Sequence, residues 1–369
     1  MDHLKYDVAI VGGGPGGSAT ALGLRAHAPS LSVVLIEASS YETPRIGETL
    51  TPPAQTILEH LGVWKPFQAQ GHLEVHGTRA VWGTTIPVDN EFFYMPANKG
   101  WHVDRSAFDA MLAEQAERRG ATLLLNARLR EAERINGSWR LKLTNGDTLS
   151  ARFTVDASGS SAVLARRIGA RVVDSDRLVG IARFFEGVRG DPRTLVEAFE
   201  HGWWYTAGLP NGRRITACMT DADLARRLGL TKAQQWGVML SAMETVGAMF
   251  LGRRACSPVI VRSSESRRLE PAAGDDWLAV GDSASRFDPL SSQGIVKALR
   301  SGIFASYAIG DLLLRGDDSG LRRYRRFVSE EFRSYAETRT RYYQQEQRWP
   351  TREFWRRRHS SYQMIGDVR

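Results

Sequence analysis

The segment 11–21 reads VGGGPGGSATA and places Gly12, Gly14 and Gly17 at the spacing G-x-G-x-x-G. Backbone of this kind can turn sharply and approach a pyrophosphate, which then lies against the free N–H groups and positive pole of the following helix. Alone the pattern is weak. Here the apolar run YDVAIVG precedes it, a helical segment with Pro15 near its start follows, and Glu37 closes the run SVVLIEA twenty residues after Gly17. In that context it reads as a dinucleotide cradle. Gly12 makes the turn, Gly14 admits the phosphate, Gly17 lets helix and strand pack closely, and Glu37 accepts from ribose hydroxyls. FAD and NAD both satisfy this pattern. A second cluster, HGWWYTAGLPNG at 201–212, sets Trp203, Trp204 and Tyr205 ahead of a turn signal. Those rings are either strand packing or the wall of an aromatic-binding pocket.

Strands and helices must position these groups. The runs 6–12 and 32–38 are short, β-branched and apolar, as buried parallel strands are. Thr51 and Pro52 announce a helix that carries Ala54, Ile57, Leu58 and Leu61 on one face and stops at Gly62. Another helix starts near Asp104, repeats Phe108, Met111 and Leu112, and ends by Gly120, ahead of the strand-like ATLLLNA. From about 170 to 265 the texture changes to alternating strands with Asn-Gly and similar turns. A buried strand returns in DDWLAVGDSA, followed by a long helix through GIVKALRSGIFASYAIGDLLL.

Composition narrows the class. The chain has 369 residues, 42% of them hydrophobic and 24% charged, the balance of an ordinary globular protein. Its two cysteines, Cys218 and Cys256, suggest neither a disulfide framework nor a metal cage, and no metal is expected. No long apolar run and no signal-peptide pattern is seen, so a cytoplasmic enzyme without membrane attachment is expected. The net charge is +8, with much of the excess in LRRYRRF and FWRRRHSS. No nucleic-acid module accompanies that charge, so nucleic acid is not an expected partner. It reads as a solvated helix face, or as a basic surface that docks an acidic protein.

Further segments separate FAD from NAD. GDSASRFDPLSSQG at 281–294 and VDASGSSAVLARRIG at 155–169 join the N-terminal glycine turn. With these three motifs, over nearly the whole length, the chain resembles FAD-dependent monooxygenases of the para-hydroxybenzoate-hydroxylase type and their halogenase-like branch. The resemblance implies an α/β fold. A Rossmann-type FAD-binding domain of the glutathione-reductase kind would span 1–72, 100–168 and 268–325. An inserted, mostly antiparallel β-sheet substrate domain would span 73–99 and 169–267, and C-terminal helices 326–369. It further implies that Gly281 and Asp282 meet the ribityl chain, and that Pro289, Gln293, Gly294 and Ile295 lie by the isoalloxazine ring. Arg45, Gly47 and Glu48 of PRIGETL would form a strap on the flavin. Arg105 would reach toward FAD, Ala127 would contact adenine, and Asp156 belongs to the second motif.

The reaction is less directly written. Halogenases of this fold carry a lysine after the strap, yet FQAQGHLEVHGTRAVWG at 67–83 has none, and the WWY stretch lacks the spacing of the halogenase tryptophan motif. RIGETLTPPA, WHVDRSAFD, DPLSSQGI and YYQQEQRWP resemble instead the flavoproteins that mature cysteine tryptophylquinone in amine and amino-acid oxidases. That resemblance implies hydroxylation by molecular oxygen of a tryptophan in a partner, a quinoprotein oxidase precursor. A hydroxylase or halogenase of a small or carrier-tethered aromatic is the alternative, and a flavin-binding assembly factor without turnover is a third reading. The reductant is NAD(P)H or a separate flavin reductase. Asp288, ahead of Pro289, is the leading titratable candidate near the ring, although such a residue also caps turns. Glu48 and His76 are weaker candidates, and His102 reads as a packing residue.

Pro210-Asn211-Gly212 followed by RRITACMT signals a hairpin with Asn211-Gly212 as a two-residue turn. That register sets Tyr205 opposite Cys218 and Trp204 opposite Met219. It sends Trp204 to an apolar face with Ile215, Ala217 and Met219. Trp203 and Tyr205 then share a pocket face with Thr216, Cys218 and Thr220.

Overall fold

Two seven-stranded sheets, two small three-stranded ones and the helices packed on them make up residues 4–360, which the computed structural model describes except for Pro96, Asp174 and Arg189. Residues 361–369, the end of the expected C-terminal region, lie outside the described residues. The first sheet is built on β1 (Leu4–Val11) and β2 (Val33–Ile36), whose cores are apolar at every position. Such strands must be covered on both faces, so they run parallel at the centre. Thr122–Leu124 flanks β2, and Thr148–Asp156 pairs parallel with β1 and with Trp277–Ala279. The helix α1 (Pro15–His27) leaves the end of β1 and packs against the long helix α3 (Gly294–Arg315), with α2 (Arg105–Arg118) between them in sequence. Asp104 caps α2 as its position suggests, accepting from the N–H groups of Ser106 and Ala107. The helix expected from Pro52 begins at Ala54, with Pro52 and Pro53 in the turn ahead of it, closed by Ala54 N–H on the Thr51 carbonyl.

The second sheet joins β3 (Gly77–Val81), β4 (Val88–Glu91), β5 (Leu178–Glu186), β6 (Thr194–Phe199), β7 (Gly202–Gly208), β8 (Arg213–Asp221) and β9 (Ile260–Ser263). Its order is β9-β5-β8-β7-β6-β3-β4, antiparallel except between β6 and β3. The chain therefore enters this sheet twice, between segments of the first one.

The β7–β8 register differs by one residue from the sequence reading. Trp203 pairs with Met219, Trp204 with Cys218 and Tyr205 with Ala217. The loop is longer than two residues: Leu209 N–H bonds the carbonyl of Arg213, and Gly212 adopts φ +74. A turn closed by a left-handed glycine carries one more residue than the type I′ turn that Asn-Gly usually signals. A one-residue slip exchanges the faces of the partner strand. Trp203 and Tyr205 consequently share their face with Ile215, Ala217 and Met219, whereas Cys218 joins Trp204. Trp204 packs edge-on against Trp236 at 5.1 Å on the opposite side of the sheet.

The helix α4 (Ser319–Gln345) packs its first half into the core of the first sheet, and its end, with α5 (Glu353–His359), packs against the second sheet. The arginines of FWRRRHSS turn inward to a large extent. Arg358 is buried and bonds Asp221 at 2.7 Å, and Arg357 bonds Asp221 and Asp223, each at 2.7 Å. These ion pairs clamp α5 onto the end of β8, so only part of the basic C-terminal surface is free to meet a partner.

Candidate active site

A cavity of about 870 Å³ begins at the N-terminus of α1 and runs to the concave face of the second sheet. At its first end, Gly12 has φ +117, and a Cβ there would stand 2.2 Å from the carbonyl oxygen of Ala157. A Cβ on Gly17 would lie 1.9 Å from the Gly12 carbonyl, so this glycine acts from behind the cavity by letting helix and strand touch. Gly14 differs: nothing lies within 4 Å of its Cβ position, and it opens on the cavity as the uncapped N-cap of α1. A space next to an uncapped helix start fits a phosphate.

Glu37 is buried and held in place. Its Oε2 accepts from Gly13 N–H at 2.8 Å, and its Oε1 from Ser39 Oγ at 2.6 Å and Arg45 at 2.8 Å. Arg45 continues to Asp109 at 2.7 Å, and Arg105 bonds both Asp109 and the carbonyl of Gly47. Asp109, four residues after Arg105 on α2, thus fixes both arginines of the strap region. Sequence reasoning passed over it, although the i,i+4 spacing was visible. Ala127 lines the cavity with its N–H already bonded to the carbonyl of Glu37.

Midway, Asp282 faces the cavity beside Lys297, a fully buried lysine on the apolar face of α3. Lys297 Nζ bonds Asp282 at 2.8 Å and also the carbonyl of Ser285. Burial would raise the Asp282 carboxyl, but Lys297 and Arg286 outweigh that and hold it below its ordinary range. It therefore meets a ligand hydroxyl as an ionised acceptor. Pro289, Gly294 and Ile295 line the next part, where α3 starts, whereas Gln293 is exposed and off the cavity wall. Asp156 lies behind the wall, bonded to Ser158, Ala165 and Ser283. It ties the end of its strand to the Gly281 turn.

At the far end Trp203 and Tyr205 form a wall with Ala217 and Met219. Glu48 is buried nearby, accepting from Gly47 N–H at 3.1 Å. Burial raises its carboxyl above the ordinary range, although the backbone bonds and Arg105 pull it back. The same carboxyl pushes the Tyr205 phenol further up after burial has raised it. His102 sits one hydrogen bond behind the wall, with Nε2 2.8 Å from Thr194 Oγ1, and burial lowers it to about 4. His76 is exposed and does not line the cavity.

Asp288 occupies a different position from a free acid. Oδ1 accepts from Leu290 N–H at 3.0 Å, while Oδ2 accepts from Tyr343 Oη at 2.7 Å and Arg339 Nε at 3.1 Å. Arg339 also bonds Asp176. Both oxygens of Asp288 are thus engaged, and it caps the turn before α3 while anchoring α4. Tyr343 stands in the motif YYQQEQRWP, but neither its contact with Asp288 nor that of Arg339 had a local signal.

Residues 5–224 match the family model for the FAD binding domain. The chain is 30% identical to the FAD-dependent oxidoreductase LodB of Marinomonas mediterranea over 96% of its own length and 97% of that protein. The chain belongs to the FAD-binding-domain family. It is an FAD-dependent oxidoreductase, and its relatives in this flavoprotein family extend to the 1H-pyrrole-2-carbonyl-[peptidyl-carrier protein] brominase of Pseudoalteromonas luteoviolacea. That brominase is 27% identical over 84% of this chain and 78% of its own. Among solved structures, the peptidyl tryptophan dihydroxylase QhpG, essential for tryptophylquinone cofactor biogenesis, superposes with a TM-score of 0.82. It shares 27% identity and covers 98% of this chain and 80% of its own. The flavin-dependent halogenase CmlS superposes with a TM-score of 0.86 at 25% identity, over 97% of this chain and 68% of its own.

The residues present fit FAD in this flavoprotein. Gly14, the start of α1 and Glu37 suit the adenosine diphosphate part. Asp282 would suit the ribityl hydroxyls, and the N-terminus of α3 would offer its positive pole to a flavin ring held beside it. No helix among the described residues is long and apolar enough to cross a membrane.

Proposed function

We propose that this flavoprotein is a monooxygenase that hydroxylates the indole of a tryptophan carried by a partner protein, a quinoprotein oxidase precursor undergoing cysteine tryptophylquinone formation. The observation that carries the reading is the aromatic wall of Trp203 and Tyr205 at the far end of a cavity whose lining, among the described residues, contains no lysine. Similarity to the peptidyl tryptophan dihydroxylase QhpG, over 98% of this chain and 80% of that one, supports the same direction.

When bound, FAD supplies the electrons that activate dioxygen for transfer of one oxygen atom to an electron-rich aromatic carbon. The chain's own residues do the rest. Trp203 and Tyr205 offer ring faces and edges against which an indole packs. Ala217 and Met219 keep the floor apolar, and a dry floor disfavours loss of the reactive oxygen to water. Glu48, buried at the cavity wall with its carboxyl raised above the ordinary range, is the titratable group placed there to move a proton. Asp288 positions the turn ahead of α3 through its bonds to Leu290, Arg339 and Tyr343.

The alternative, chemistry on a small or carrier-tethered aromatic, is favoured by the similarity to the pyrrolyl-carrier brominase. Supplying the purified flavoprotein with reduced flavin and oxygen separates the two. Oxygenation of a tryptophan-bearing precursor polypeptide, with free pyrrole and indole acids left intact, supports the proposal. Turnover of the small acids alone would overturn it. Repeating the assay with NADH, NADPH or a flavin reductase identifies the reductant.

A further inference from the structure

The sheet that floors the cavity ends at β9, whose only strand neighbour among the described residues is β5. The ladder shows which backbone groups stay open. Ser264 N–H bonds the carbonyl of Leu178, so Arg262–Gly180 and Ile260–Ala182 are the hydrogen-bonded pairs. Val261 and Ser263 therefore turn their N–H and C=O groups away from β5, the Val261 carbonyl meeting its neighbour's guanidinium at 3.0 Å. Val261 is 40% exposed, and Arg262 and Ser263 are exposed.

The opposite edge is built differently. On β4, Asp89 and Glu91 are ion-paired with Arg79 and Arg193, a charged fringe of the kind that discourages strand addition. That edge lines no part of the cavity, whereas Ile260, Arg262 and Ser263 do.

Two rungs lead from β9 to the aromatic wall. Arg262 pairs with Gly180, Gly180 with Met219 and Met219 with Trp203; Ile260 pairs with Ala182, Ala182 with Ala217 and Ala217 with Tyr205. Met219 and Ser264 fill the space over Gly180, so the open trough follows the second rung, where the small Ala182 and Ala217 line the cavity across three strand spacings, about 14 Å. The approach is cationic. Arg262 is exposed with no carboxylate ion pair among the described residues, Arg286 donates to Ser263 Oγ at 3.2 Å, and Glu265, the next acid along the chain, is paired with Arg267.

We propose that β9 is the docking edge for an acidic, extended segment of the protein substrate. This segment pairs with the outward groups of Val261 and Ser263, and the residues after it carry the tryptophan along the trough to Trp203 and Tyr205. The inference rests on the protein-substrate reading above. It joins main-chain pairing, which gives affinity, to a charge pattern that selects an acidic partner.

The probe is a fluorescent peptide bearing one tryptophan and a flank of alternating glutamate and valine. It is measured by anisotropy against the FAD-loaded protein and compared with a glutamine-for-glutamate peptide and one N-methylated at alternate flank amides. Val261→Pro removes an outward N–H, a change that edge strands accept. The expected result is binding that weakens with salt, and a loss of at least about tenfold for Val261→Pro, for the N-methylated peptide and for the neutral peptide, at unchanged FAD content. Failure of the wild-type protein to bind the acidic peptide overturns the proposal. So does binding within about twofold for either the N-methylated or the neutral peptide. Oxygenation is read separately by mass. A peptide that docks as expected but gains no oxygen leaves the docking edge standing and removes the hydroxylase reading. A peptide that is oxygenated yet ignores N-methylation does the reverse.

Discussion

Trp203 donates its indole N–H to Tyr343 Oη at 3.0 Å, and the same hydroxyl donates to Asp288 at 2.7 Å. One buried phenol on α4 therefore joins the aromatic wall of the cavity to the turn that opens α3. Burial and the neighbouring Asp288 raise this phenol well above its ordinary range, so it stays protonated and keeps donating.

Tyr343→Phe should keep the ring packing but leave the buried Trp203 N–H unpaired and take one donor from Asp288. A destabilisation of about 1–3 kcal/mol is expected in urea unfolding. Arg339 and Leu290 still hold Asp288, so FAD content should stay close to that of the wild type. Unfolding indistinguishable from wild type would show that the hydroxyl does not fasten the wall.

Gly14→Ala separates folding from cofactor binding. Gly14 has φ −74, which alanine adopts freely, and no protein atom near its Cβ position. The variant should unfold like wild type without cofactor and bind FAD at least about tenfold more weakly, about 1.4 kcal/mol. Equal FAD affinity in a fluorescence titration would remove Gly14 from the phosphate site. Gly12→Ala, in contrast, should fail to fold stably, given its φ of +117 and the 2.2 Å approach to Ala157.

Trp203→Ala and Tyr205→Ala should lower product formation with FAD content retained, because both rings face the cavity. Trp203→Ala and Trp204→Ala should each also cost stability, by about 3–5 kcal/mol, since both rings are buried; only Trp204, packed against Trp236 on the other face, should leave product formation per folded protein unchanged. Full turnover in both cavity variants would mean that the wall does not hold substrate.

Glu48→Gln tests the buried carboxyl through pH. Burial raises Glu48 above its ordinary 4.5. A group raised on folding contributes stability that is present below 4.5 and lost as pH rises through its folded value. The variant lacks this loss, so its stability relative to wild type should grow with pH above 4.5 and then level off. A difference that stays flat across that window contradicts a raised Glu48.

The parts legible in sequence are those whose chemistry is local. The glycine turn, Glu37, the Asp104 cap and the α3 start all follow from short-range spacing and turn preference, and they locate most of the cavity wall. The hairpin faces were misassigned by one residue because Asn211-Gly212 sits in a longer loop closed by a left-handed glycine. Short motifs specify turn type less tightly than strand register requires. The bonds of Tyr343 and Arg339 could not be read, although Tyr343 stands in the YYQQEQRWP motif. Their contacts with Asp288 span 55 and 51 residues and exist only once α4 lies across the cavity. Lys297 gave a fainter signal, a lone lysine on an otherwise apolar helix face.

The central claim, oxygenation of a protein-borne tryptophan, is tested most directly by mass spectrometry with isotopic dioxygen. The FAD-loaded protein receives reductant, ¹⁸O₂, bromide and a tryptophan-bearing precursor polypeptide. The account expects ¹⁸O on the indole of that tryptophan and no bromine. A brominated product, or oxygen consumed with the polypeptide unchanged in mass, contradicts it.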